Sequence, residues 1–159
     1  MAFCSGLVRK RLHWTLAGEE FILREGTNEL CRMNLDPVRV ECVFGGKGLN
    51  IRRKGLIKPR IEISSDDASF ATIRELNAFE PQLVFDDGTV YVIKYLNSSN
   101  TSLAFFNGDA NNVMEVTDIS TWSEPRTELV VNRAVDDHHA RALMAVGHFL
   151  LLHGCSLMA

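Results

Sequence analysis

"DDHHARALMAVGHFLLLHGC", residues 136–155, decides how the rest of the chain has to be arranged. Asp136 and Asp137 suit a helix start, because a short side-chain oxygen accepts from free backbone N–H groups and negative charge complements the helix dipole. Gly154 offers a stop, so the expected helix lies near 137–153. At about 100° per residue, Leu143, Met144, Val146, Leu150 and Leu151, with Ala140, Ala142 and Phe149, cover most of its circumference. Arg141 and His148 share one narrow seam, with His138 at its edge. The uninterrupted apolar run falls far short of the roughly 20 residues that span a bilayer. This is the pattern of a core helix that needs cover nearly all round, whereas an open sheet covers only a stripe.

The preceding residues supply that cover. From residue 12 to residue 132 the chain reads as short strands interrupted by turn chemistry roughly every 8 to 12 residues, the spacing of a sandwich or barrel. In "VRVECVF" (38–44), Val38, Val40, Cys42 and Phe44 alternate with Arg39 and Glu41, as a half-buried strand requires. "EGTN" (25–28), "GGKG" (45–48), "DDG" (86–88), "NSSN" (97–100) and "NGDANN" (107–112) favour tight turns. About a dozen candidate strands result, including "LHWTLA" (12–17). "STWSEPRTE" (120–128) is the expected long loop, with Trp122 as its anchor. The fold class predicted is mainly β: a closed antiparallel barrel of about twelve strands around a hydrophobic C-terminal helix.

Bulk properties fit one domain. A chain of 159 residues, 46% hydrophobic and 23% charged, buries about two-thirds of its unfolded surface around a single core. Residues 1–11 read as a tail and 12–159 as the barrel domain. The tail has a short apolar start followed by Arg9, Lys10 and Arg11, the reverse of a secretory signal, while its lack of acids before Glu19 leaves room for a transit peptide. Cys4, Cys31, Cys42 and Cys155 form no CxxC pair and read as reduced thiols, with Cys31 and Cys42 in apolar strands.

This turn-punctuated series, from "EFILREGTNELCRM" through "NIRRKGLIKPRIEI" and "LVFDDGTVYVIKYL" to the final helix, resembles the tubby C-terminal-like superfamily, which includes phospholipid scramblases and LURP-one-related proteins. The resemblance covers roughly residues 12 to 153 and lies in overall pattern, without a local signature. It implies a non-enzymatic binding or adaptor module. Phosphoinositide binding is known in tubby-type domains.

Chemistry-bearing motifs are few. Adjacent helical residues diverge, so His138 and His139 of "DDHH" do not form the i, i+4 pair that would hold one metal ion, and the capping role is preferred. His148 is expected to be a hydrogen-bonded core histidine. No nucleophile elbow, P-loop, dinucleotide fingerprint or zinc-protease motif occurs, so neither catalytic residues nor a cofactor are assigned.

The basic cluster in "NIRRKGLIKPRIEI" is more informative. Alternation turns Leu49 and Ile51 inward and Arg52 and Lys54 outward; with Ile61 and Ile63 inward, Arg60 and Lys58 face outward. If these strands pair across Gly55, the four cations share one exterior face able to meet phosphates or anionic lipid headgroups. The bland reading is a solvated strand face in a chain of net charge −3.

The partner expected is therefore an anionic membrane lipid or a protein, with a cytoplasmic location and peripheral attachment. Nucleic acid fits poorly, since the cations lack an aromatic stacking platform. The alternative is a barrel that binds a small apolar ligand, or an enzyme acting on one.

Overall fold

A computed structural model describes residues 9–34, 36, 39–74 and 80–157, with the side chains of 154–157 excepted. Its strands are β1 (Lys10–Ala17), β2 (Glu20–Glu25), β3 (Asn28–Asn34), β4 (Val40–Phe44), β5 (Lys47–Lys54), β6 (Arg60–Ser65), β7 (Ala68–Arg74), β8 (Gln82–Phe85), β9 (Val90–Tyr95), β10 (Ser102–Phe106), β11 (Asn112–Asp118) and β12 (Arg126–Val131), followed by helix α1 (Asp137–Leu157). Each strand pairs antiparallel with its sequence neighbours, and β12 closes the ring on β1 from Lys10↔Val131 to Thr15↔Arg126. The result is the twelve-strand barrel that the turn spacing predicts. Its first strand begins two residues before the expected boundary, at Lys10.

Alternation does the local work. On β4, Val40, Cys42 and Phe44 are buried while Glu41 and Val43 are exposed, and on β6 Ile61 and Ile63 are buried while Arg60 faces out. Val38, expected on the same face as Val40, lies outside the described residues. Two-residue turns set the register at several hairpins. Gly45 and Gly46 both take positive φ (53° and 86°), as a type I′ turn requires, and Asp66 and Asp67 do the same (52° and 62°).

The ring order proves that the helix is inside. β1 and β7 lie six places apart in the ring, hence on opposite walls. Trp14 of β1 stacks on His148, while Phe70 of β7 meets His138. Phe21, Phe85, Tyr91, Phe105 and Val116 approach the helix from other strands. Ala140 and Ala142 through Leu150 are all buried. At Gly147 an added Cβ would lie 2.6 Å from Val116 Cγ2, so helix backbone presses directly on the β11 wall.

Two local expectations need correction. The helix continues through Gly154 to Leu157, because glycine weakens a helix by about 1 kcal/mol but ends it only where the chain turns left-handed, and no proline follows. At its other end Asp136 does occupy the cap position, its carbonyl accepting the Ala140 N–H at 2.8 Å. Trp122 anchors nothing: it is 99% exposed. The loop is held by small polar groups instead, Ser120 N–H donating to Asp118 Oδ1 (2.8 Å) and Arg126 N–H to Ser120 Oγ (2.8 Å).

Because the strands simply alternate up and down, the barrel has two distinct rims. The connections β2–β3, β4–β5, β6–β7, β8–β9 and β10–β11 form the upper rim, where α1 enters; the remaining hairpins form the lower rim, where α1 emerges.

Candidate functional site

Strands β5 and β6 pair as the basic-face reading requires, with Arg52 opposite Glu62 and Lys54 opposite Arg60. Arg52, Lys54, Lys58 and Arg60 are all exposed, and Leu49 and Ile51 are buried beneath the strand. Lys58 belongs to the connection rather than to a strand.

The register also enlarges and partly neutralises the face. Ile61 pairs with Ile73, which sets exposed Arg74 of β7 beside Arg60 and makes a lower-rim row of Lys54, Arg60 and Arg74. Glu62 sits in the next row. Lys54 Nζ reaches its carboxylate at 2.8 Å and Arg60 Nε at 3.5 Å. Lys54, then Arg60, holds the Glu62 carboxyl below the usual carboxylate range.

A shallow depression of about 100 Å³ on this face is lined by Arg52, Lys54, Asn50, Ser64, Glu62 and Asp67, so its charges balance. Further positive charge lies nearer the lower rim, at Arg53, Lys58 and Arg74, with Arg60 sharing Glu62 with Lys54. Arg74 could not be found from alternation on one strand, because only the register brings it alongside. Glu62 could have been found, since the alternation that turns Arg60 outward turns Glu62 outward too.

The upper rim presents different chemistry. A cavity of about 320 Å³ opens there between Phe44, Leu49 and Phe70, with Lys47, Ser65, Asp66, His138 and Arg141 at its polar side. Below it the lumen is filled by the helix.

Nearby, His139 links Asp87 and Tyr91. Asp87 is ionised, its pKa lowered to about 2 chiefly by the Thr89 backbone N–H, then the Thr89 side chain and His139. A carboxylate can only accept, so His139 Nε2–H donates to Asp87 Oδ2 (2.8 Å), while Nδ1 shares a hydrogen bond with the Tyr91 hydroxyl (3.1 Å). The order Asp, His, hydroxyl matches a nucleophilic triad, but burial pushes Tyr91 up to about 12, and the chain ties the helix start to the β8–β9 hairpin. His138 turns instead to Phe70, with ring centroids 4.4 Å apart, so the paired histidines diverge.

His148 is a core residue, but not a hydrogen-bonded one. Neither ring nitrogen has a hydrogen-bond partner, and burial lowers its pKa to about 3. Cys31 and Cys42 are buried free thiols, and burial raises Cys31 beyond any reactive range.

The chain shares its fold with a solved plant protein. An X-ray structure of a protein from Arabidopsis thaliana superposes with a TM-score of 0.62, covering 92% of this chain and 93% of that one at 12% identity. At that identity the likeness concerns the fold alone. No protein-family model matches the chain, and no curated protein matches it. Among the described residues, no helix is long and apolar enough to cross a membrane.

Proposed function

We propose that this chain is a tubby-like domain of the LURP-one-related kind, acting as a non-enzymatic module that docks on anionic phospholipid or phosphoinositide headgroups. The observation that carries the reading is the β5–β6–β7 exterior, where Arg52, Lys54 and Arg60 meet the carboxylate of Glu62, Asp67 lines the same depression, and Lys58 and Arg74 add positive charge toward the lower rim. Each cation near an anionic leaflet contributes on the order of 1 kcal/mol, which suffices for reversible attachment only when several act together. The barrel supplies a rigid wall for them, and the helix in its lumen keeps that wall closed. Peripheral attachment at a cytoplasmic membrane face is the corresponding location.

The test is sedimentation with vesicles of phosphatidylcholine alone, or doped with phosphatidylserine or a phosphoinositide. Binding is expected only with anionic lipid, to weaken as salt rises, and to be abolished by Arg52→Glu with Lys54→Glu. Undiminished binding by that variant overturns the reading.

The upper-rim cavity supports a second reading, a small ligand held between Phe44 and Phe70 with Lys47 and Arg141 beside it. A ligand in the lumen itself is disfavoured by the helix that fills it. Saturable, Arg141-dependent binding of a small aromatic carboxylate would favour this reading over lipid docking.

A further inference from the structure

The β5–β6 connection carries more than charge. Leu56 and Ile57 at its apex are 103% and 94% exposed. One exposed aliphatic side chain is ordinary. Two adjacent ones at a hairpin tip, inside the span "RRKGLIKPR" (52–60) with its five cations and no acid, present an apolar point with a cationic collar.

The path of the chain through the tip restricts which residues can form it. Gly55 has φ 87°, and a Cβ there would lie 2.5 Å from the Lys58 carbonyl oxygen, so only glycine permits this closure. Pro59 then fixes the return of the chain.

Exposed apolar side chains are also unevenly distributed. Among the described residues, Leu56, Ile57, Leu96, Ile119 and Trp122 belong to lower-rim connections, and Leu152 lies where the helix emerges. Val43 alone lies elsewhere. The same rim carries the Lys54, Arg60 and Arg74 row.

We propose that Leu56 and Ile57 form a wedge that enters the headgroup region of an anionic bilayer, while Arg53, Lys54, Lys58 and Arg60 rest on the phosphates around it. The inference builds on the lipid reading above and adds which rim faces the membrane and that docking includes insertion. A bilayer is the partner whose chemistry matches both parts: negative charge at the surface and an apolar phase beneath it. A soluble phosphate compound would satisfy the collar and leave the tip in water.

Two variants of the full chain test it, with thermal melts confirming that they fold. Leu56→Ser with Ile57→Ser is expected to lower affinity for phosphatidylserine vesicles at least tenfold at about 0.15 M salt, where charge alone is partly screened. Ile57→Trp in a Trp122→Phe background places one exposed indole at the tip, since Trp14 is buried. Its emission is expected to shift blue on vesicle binding and to be quenched by lipids brominated high on the acyl chain.

If the serine variant binds as tightly as the wild type while Arg52→Glu with Lys54→Glu does not bind, the wedge is overturned and the lipid reading stands. If the wild type ignores anionic vesicles, both fall. If the serine substitutions leave vesicle binding intact but abolish self-association of the chain, the tip is a protein contact and the wedge is overturned.

Discussion

His148 of the central helix lies flat on Trp14 of β1, ring centroids 4.7 Å and planes 9° apart, and neither the imidazole nitrogens nor the indole Nε1 has a hydrogen-bond partner. Phe21 closes the imidazole from the side at 4.4 Å. A proton on His148 would therefore be a buried charge without a counter-charge. Its folded pKa, about 3, lies below the unfolded 6.5, so the unfolded state binds the proton more readily between those values. Stability is complete above pH 6.5 and falls by on the order of a few kcal/mol toward pH 3. Urea midpoints across this range measure it. His148→Leu is expected to flatten the slope between pH 4.5 and 6.5, a window above the ordinary carboxylate range.

Gly147→Ala probes the contact between helix and wall. Alanine favours the helix by about 1 kcal/mol. Its Cβ would nevertheless fall 2.6 Å from Val116 Cγ2 and 3.2 Å from Phe105 Cε2, and such overpacking typically costs about 1–3 kcal/mol. Net destabilisation is expected in denaturant titration. Val116→Ala in the same chain is expected to recover part of it, giving a non-additive double-mutant cycle.

The Asp87–His139–Tyr91 chain is expected to stabilise the helix start without any catalytic role. His139→Ala leaves the Tyr91 hydroxyl buried and unpaired, at a cost of about 1–3 kcal/mol. Tyr91→Phe removes that unpaired group, so adding it to His139→Ala is expected to restore stability rather than lower it further. Equilibrium unfolding of the three variants decides the point, and additive losses would contradict the described hydrogen bonds.

Glu62→Gln is expected to raise affinity for anionic vesicles by roughly fivefold, about 1 kcal/mol, and to steepen the salt dependence. The substitution releases Lys54 and Arg60 from the carboxylate that now holds them at 2.8 and 3.5 Å. Flotation at two salt concentrations reads both effects.

The architecture was legible because its two periodicities are unusually clear. "VRVECVF" and "RIEI" alternate, and the helix is apolar around most of its circumference, which only an enclosing wall satisfies. What escaped are properties of neighbours. Arg74 joins the basic row through register across β6 and β7, which no single strand encodes. Trp122 reads as a loop anchor, and Leu56 and Ile57 carry no signal of their own, until the wall is built and none of them is found against it. His148 was expected to find a hydrogen bond because buried polar atoms usually do, but aromatic faces surround it.

The helix follows all twelve strands in the chain. During synthesis the wall therefore leaves the ribosome before the segment that fills it. A nascent chain halted before His138 carries the apolar lining of Trp14, Phe21, Phe85 and Phe105 without the helix side chains that cover it. Closure of β12 on β1 likewise joins the two most widely separated strands, a slow step for a chain still tethered at its growing end. Folding of this barrel is thus expected to complete only after α1 is released, with the unfilled wall as the species that chaperones must shield.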